Sequence, residues 1–289
     1  MRQCTICNSA RPGLLCRKDG AGYHICPDCR VIFQHPAPPP EAMVSYADGE
    51  YEAGVYREYV EAREMKLDHF RQRLERLLPR VRRGRLLDIG CSCGYFMEVA
   101  AKSGFEVEGL EFSRAAIAAA DPSIRPHIVC SSVDEFESSQ TYDLVTAFDL
   151  IEHVPQPKDF LRKVRNLLTP GGWLAMSTPD AGHFLRFMMG SSWPMLQPMQ
   201  HLTIFSRQSM RLVLEEAGFN EISFETATKT VSYDYLTDQV RPLTPALHKG
   251  LRLVGRCMPA SARTKYRHVN IGEFMVMARV AAAAQGAHA

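Results

Sequence analysis

No stretch of the 289-residue chain reaches the ~18 uninterrupted apolar residues that a bilayer-spanning helix needs. The first thirty residues also lack an apolar signal-peptide core ahead of a cleavage site, so a cytoplasmic protein is expected. Charge of one sign is scarce as well. Thirty-four Lys and Arg face 32 Asp and Glu, a formal net charge of +2. So small an excess argues against a nucleic-acid groove or a polybasic membrane surface and directs attention to small-molecule partners. What is present is an ordinary globular composition, 46% hydrophobic and 23% charged, which excludes disordered and fibrous classes.

The nine cysteines are unevenly spread, and this asymmetry favours two domains over one. Five lie in the first thirty residues. Two residues lie between Cys4 and Cys7 and two between Cys26 and Cys29, and eighteen residues separate the pairs. That spacing matches a Cys₄ zinc site: each CxxC turn puts two thiolates on one side of a bend, and two turns supply a tetrahedron. Four protein sulfurs close the shell, so the expected Zn²⁺ is structural and lends folding energy to a module too small for its own core. Disulfides fit poorly with an odd cysteine count in a chain without a secretion signal. A redox dithiol fits poorly outside a βαβ unit. Iron in the same thiolates stays open. Cys16 and His24 are read as bystanders. Residues 1–40 form this zinc-ribbon-like module, which ends in the proline-rich HPAPPPE of 35–41, a semi-rigid link to the linker and helix expected over 41–84. Apolar residues Tyr56, Val60, Leu67, Phe70, Leu74 and Leu77 recur there at helical spacing, predicting an amphipathic helix over 55–78. Tyr46, Tyr51 and Tyr56 are available either for packing or for closing over a ligand.

From Arg85 onward short apolar runs alternate with helical ones: LLDIG, YFMEVAAKSG, FEVEGLE, SRAAIAAA, HIVC, YDLVTAF. This is the pattern of an α/β, doubly wound sheet, expected over 85–280. Ligands of such sheets bind beyond the C-terminal strand ends, so the turn after the first strand carries most information. It reads Asp88-Ile-Gly90-Cys-Ser92-Cys-Gly94. Small residues at 90, 92 and 94 let the backbone fold tightly against a ligand, and the helix that follows offers amides to an anionic group. Glu111 closes the second strand, where a carboxylate can accept both hydroxyl hydrogens of a ribose.

Three ligand chemistries compete for this turn. A dinucleotide fingerprint needs a small residue at 95, where bulky Tyr95 stands. A G-x-S-x-G nucleophile elbow matches the letters but follows several earlier strands in hydrolases, and here only the cysteine module and a helix precede it. A nucleoside-bearing cofactor with one ribose and an anionic tail remains.

At these motifs the sequence resembles the class I S-adenosylmethionine-dependent methyltransferases over residues 80–280. LLDIGCSCG looks like their cofactor loop, with Ser92 in place of the more usual middle glycine. LEFS resembles the ribose strand end, which implies cofactor contacts for Glu111 and Phe112. VCSSVDEF resembles the adenine segment, with Ser132 where an acid is common, and carries over Ser132 and Val133. YDLVTAFDLIEHV resembles the fourth strand and its loop, and carries over Asp149, Glu152 and His153. NLLTPGGWLAMSTP resembles the segment leading into the fifth strand. The resemblance implies the Rossmann-like class I methyltransferase fold and S-adenosyl-L-methionine as cofactor. Together with the cysteine pairs and PAPPPE, the chain is also similar to bacterial methyltransferases of sugar and natural-product pathways, including sugar C-methyltransferases with an N-terminal zinc-binding module. Those C-methyltransferases usually continue into a further domain, which weakens C-methylation here.

On the acceptor side, removal of a hydroxyl proton calls for a base of near-neutral pKa. His153 is the first candidate, just beyond the fourth strand and adjacent to Glu152, which can orient or charge-stabilise an imidazole. The EHV triplet also fits a plain helix cap. His201 is the second candidate. It lies in the connection 180–205, whose four methionines and one tryptophan are too apolar for a solvated loop and read as an acceptor lid or an extra core element. His183 reads as a loop residue. Residues 230–270 carry seven Lys or Arg against two Asp, with LHKGLRLVGRCM as a basic amphipathic helix. It is either a solvated face or, over 241–267, a contact for a phosphate, a nucleotide handle or a membrane surface. GEFMVMARV reads as the last strand and 281–289 as a tail.

The functional expectation is O-methylation of a small acceptor, such as a sugar, glycan precursor or natural-product intermediate. The alternatives are C-methylation of a keto-sugar and a non-catalytic, cofactor-occupied scaffold with a zinc docking module.

Overall fold

The structure, a computed structural model, describes residues 3–39, 42–43, 46, 62–240 and 245–282. Tyr51, Tyr56, Val60 and the first turns of the expected 55–78 helix lie outside the described residues.

The N-terminal ribbon begins with a knuckle at Cys4–Cys7. Asn8, at φ +58°, turns the chain so that its amide donates to the Cys4 carbonyl at 3.0 Å, while the Ile6 amide points at the Cys4 sulfur at 3.4 Å. Strands β1 (Gly13–Lys18) and β2 (Ala21–Ile25) form a hairpin across Asp19-Gly20. Both turn residues have positive φ, as a two-residue hairpin loop requires. The second knuckle, Cys26–Cys29, leads through Arg30 into β3 (Ile32–Gln34).

The rest is an α/β layered domain. Helix α1 (Arg63–Leu77) precedes β4 (Arg85–Ile89), α2 (Tyr95–Lys102), β5 (Glu106–Glu111), α3 (Arg114–Ala118), β6 (Ile128–Cys130) and β7 (Tyr142–Phe148). Then come α4 (Pro157–Leu167), β8 (Leu168–Pro179), α5 (Phe184–Met189), β9 (Thr203–Ile204), α6 (Arg207–Glu216) and β10 (Phe219–Val231). Helices α7 (Tyr233–Val240), α8 (Pro245–Arg256) and α9 (Ala260–Thr264) lead to β11 (Arg267–Val280). Among the described residues no helix is long and apolar enough to cross a membrane.

Seven strands form one sheet in the order β10-β11-β8-β7-β4-β5-β6. The five from β8 to β6 are mutually parallel, and β11 runs antiparallel between β8 and β10. Period-2 alternation sorts neighbouring apolar residues onto opposite faces. Leu86, Leu144, Ala175 and Met277 pack beneath α1 and α2, whereas Leu87, Val145, Leu174 and Val276 pack beneath α4 and α6. Both faces are covered, which is why the strands read as continuous apolar runs.

The ribbon does not stand apart from this domain. Strand β9, within the 180–205 connection, adds to β3 with Ile32 opposite Ile204 and Phe33 opposite Thr203, making a four-stranded sheet β1-β2-β3-β9. Trp193 and Leu196 of the same connection are fully buried against Tyr23, Ile32 and Ile204. Much of the segment read as a lid is therefore a platform for the ribbon. Its helix α5 leaves Phe184, Phe187 and Met188 exposed.

Candidate active site

The turn after β4 is shaped by three left-handed residues in alternation. Gly90, Ser92 and Gly94 have φ of +71°, +55° and +73°. A Cβ on Gly94 would stand 2.7 Å from the Ile124 side chain, and one on Gly90 would stand 3.1 Å from Leu150. Glycine is thus required at 94 by space and conformation together. Gly94→Ala is expected to cost about 1–3 kcal/mol. Urea unfolding with an unchanged midpoint would contradict this. Ser92 occupies a conformation suited to glycine, and its hydroxyl is buried without a partner among the described residues.

Glu111 lies at the end of β5 beside this turn. The Ser92 amide donates to one of its oxygens at 2.9 Å and the Ser113 amide to the other at 2.8 Å. Burial raises its pKa, while the amides of Ser113, Ser92 and Phe112 oppose the rise. Each oxygen keeps lone-pair capacity for a ligand hydroxyl. Phe112 is exposed beside it. Ser132 accepts from the Glu135 amide, and Val133 packs against the core. Asp88 sits deeper, within β4, where the Thr146 hydroxyl donates to it at 2.6 Å and burial lifts its pKa to about 7. It ties β4 to β7.

Asp149, at φ +52°, ends β7. Ser177 donates to Asp149 Oδ1, and Lys229 Nζ lies 2.5 Å from Oδ2. Burial would raise this carboxyl, but Lys229 and Arg73 outweigh it and hold it well below the ordinary range. Lys229 also reaches Glu273 at 3.1 Å, and Arg73 Nη2 lies 3.5 Å from Asp149. Arg73, Lys229 and Glu273 come from α1, β10 and β11, and their long sequence separations gave no signal of this network.

One short helical turn further, Ile151–His153 brings Glu152 and His153 to the same strand end, and the structure adds His201. One ligand atom from each of the three lies within 4.8 Å of the others. The imidazoles meet edge to face with centroids 4.9 Å apart. Glu152 does not orient His153 as the sequence suggested. Its carboxylate accepts from the Thr178 hydroxyl at 2.9 Å, and burial followed by Asp149 raises its pKa to about 8. His153 Nδ1 is held instead by the Gln200 carbonyl at 2.9 Å, and His201 Nδ1 by the Met195 carbonyl at 2.7 Å. Carbonyls only accept, so each Nδ1 carries the hydrogen and each Nε2 keeps a lone pair. Burial lowers the pKa of both rings, that of His201 to about 3, which keeps them neutral. His183 caps α5, accepting from the Leu185 amide.

In the ribbon, Cys4 and Cys29 sulfurs are 3.6 Å apart and those of Cys7 and Cys26 3.5 Å, all four within 4.8 Å. Cys16 and His24 stand outside this cluster.

The family described as "Methyltransferase domain" matches residues 56–223, more than half of the chain. The chain belongs to this family. With the strand order above, the match identifies a class I S-adenosylmethionine-dependent methyltransferase superfamily member. An S-adenosylmethionine-dependent methyltransferase from Thermotoga maritima shares the fold at a TM-score of 0.52 and 16% identity, over 80% of this chain and 97% of that one. Another from Archaeoglobus fulgidus does so at 0.50 and 16%, over 77% and 99%. Among curated proteins, the ubiquinone biosynthesis O-methyltransferases of Burkholderia orbicola and Paraburkholderia xenovorans are 35% and 36% identical over 101 and 100 residues. Those segments are 32% of this chain and 44% and 43% of the relatives, so the chain spans less than half the length of the curated relatives it matches.

Proposed function

We propose that this methyltransferase-family chain transfers the methyl group of S-adenosylmethionine to a hydroxyl oxygen of a small acceptor. The observation that carries the reading is the convergence of Glu152, His153 and His201 at the end of the strand that neighbours β4. Strands β4 and β7 are parallel neighbours, and Leu150 packs over Gly90, so the Asp149–His153 segment abuts the Gly90–Gly94 turn. The residues suit the cofactor: Glu111 offers acceptor capacity to a ribose, and the unpartnered Ser92 hydroxyl and the close Gly90 and Gly94 backbone fit a ligand seated on the turn. When bound, the cofactor supplies a sulfonium-activated methyl group. The protein's part is to align the acceptor oxygen in line with it and to take the hydroxyl proton at the cluster, at the Nε2 lone pair of His153 in preference to that of His201, whose pKa of about 3 lies far below the near-neutral range of an effective base.

Oxygen as the target is also what the names of the curated O-methyltransferase relatives suggest. For the acceptor we favour a sugar, glycan precursor or natural-product intermediate; of the basic 241–267 stretch Arg241 lies outside the described residues, and the exposed Lys249, Arg252 and Arg256 are available to a phosphate or nucleotide handle. The ribbon cysteines fit structural Zn²⁺. Four sulfurs at ~2.3 Å from one ion stand about 3.8 Å apart, close to the 3.5 and 3.6 Å separations here. The test of the acceptor assignment is the product. With ¹³C-methyl cofactor and a panel of hydroxylated acceptors, the new methyl resonance is expected in the oxygen-bonded range. A resonance bonded to carbon would overturn the hydroxyl reading.

A further inference from the structure

We propose that Glu152, His153 and His201 bind a first-row divalent cation, through one carboxylate oxygen and the two imidazole Nε2 atoms, at the acceptor end of the cofactor turn. The proposal rests on the methyl-transfer reading for its role, though not for its geometry. Two imidazoles and one carboxylate converge within 4.8 Å, and first-row ions with open positions favour this donor set. Each donor is also held from behind, as metal ligands are. The His153 and His201 Nδ1–H groups donate to the Gln200 and Met195 carbonyls, fixing the tautomer that leaves Nε2 free, and Thr178 donates to the Glu152 carboxylate. Ligand bonds of about 2.0–2.2 Å would draw the donors inward by side-chain rotation.

The backbone around the cluster is fixed too. The Leu202 amide donates to the Glu152 carbonyl at 2.8 Å, coupling the segment that carries His201 to the one that carries Glu152 and His153. Three protein ligands leave positions for the acceptor. With both Nε2 atoms on the ion the imidazoles act as its ligands and no longer as the base: a hydroxyl bound there loses its proton to solvent more readily, its oxygen forms the new C–O bond, and the C–S bond of the cofactor breaks with the electron pair passing to sulfur. The two histidines then act together through the ion.

The test uses the full chain with its ribbon metal in place and Co²⁺ as the probe. Calorimetric titration, with elemental analysis after desalting, is expected to find one further Co²⁺ per chain beyond the ribbon ion. Its visible spectrum should lack thiolate charge-transfer bands. Glu152→Gln and His201→Asn are expected to weaken this binding by roughly 100-fold, while S-adenosylhomocysteine affinity stays at the parental value and shows that the fold persists. His183→Ala should leave Co²⁺ binding unchanged. No additional ion in a parent that still binds S-adenosylhomocysteine, or equal Co²⁺ affinity in both cluster variants, would overturn the metal site and leave the methyl-transfer reading standing. Loss of S-adenosylhomocysteine binding by the parent itself would instead count against that reading.

Discussion

Cys26→Ser is expected to abolish methyl transfer along with binding of the Zn²⁺ proposed for the ribbon cysteines, although none of the four cysteines belongs to the Gly90–Gly94 turn. Structural zinc contributes on the order of 10 kcal/mol or more to small ribbons, so its loss unfolds the module. The consequence reaches the acceptor end through a short chain of contacts. Strand β3 carries β9, and the Gln34 amide donates to the Leu202 carbonyl at 2.9 Å. The Ser206 hydroxyl, which caps α6, donates to the Cys29 carbonyl at 2.9 Å, and Gln208 donates to that of Asp28. Leu202 in turn holds the Glu152 backbone, and His201 is its neighbour. With the ribbon gone, Trp193, Leu196 and Ile204 lose the surface that buries them, and the 193–206 segment no longer holds His201 against His153. Hydrogen exchange at 193–206 should rise sharply in the variant as turnover is lost. Metal-free protein that keeps both turnover and protection there would refute the coupling.

His153→Ala is expected to lower turnover by ~10² to 10⁴ while leaving cofactor affinity close to the parental value. The imidazole is buried and neutral, with its Nδ1–H spent on the Gln200 carbonyl, so what the substitution removes is the Nε2 lone pair. None of the turn, Glu111 or Ser92 bonds involves this ring. The comparison to make is kcat at saturating cofactor against the S-adenosylhomocysteine dissociation constant. A parental kcat would shift proton removal away from the cluster, and a matching loss of cofactor affinity would make His153 part of the cofactor site.

The parts of this molecule that were legible in the sequence are those specified locally. The alternation of apolar runs from Arg85 onward announced the layered α/β domain, because strands buried on both faces need continuous apolar residues. Gly90 and Gly94 were legible because left-handed backbone and close approach leave few other residues. The CxxC pairs were legible because a knuckle is a short-range device. What the sequence could not display were pairings across long separations. The addition of Thr203–Ile204 to the ribbon is a two-residue strand with no periodicity of its own, so its segment reads as an acceptor lid or an extra core element with no hint of the ribbon as its partner. The Arg73, Asp149, Lys229 and Glu273 network joins four separate elements, and nothing near any one residue names the other three. Glu152 was paired with His153 by adjacency. Its hydrogen-bond partner is Thr178 on the next strand, and His153 Nδ1 is taken by the Gln200 carbonyl, a contact between residues far apart in the sequence.

The most direct test of the central claim is calorimetric titration of the full chain with S-adenosylmethionine and S-adenosylhomocysteine, repeated for Glu111→Ala. One site per chain is predicted for both ligands. Glu111→Ala should weaken binding roughly 10- to 100-fold, the cost of losing hydrogen bonds to a buried charged acceptor. A parent that binds neither ligand, or a Glu111→Ala protein that binds them as tightly as the parent, would contradict the account.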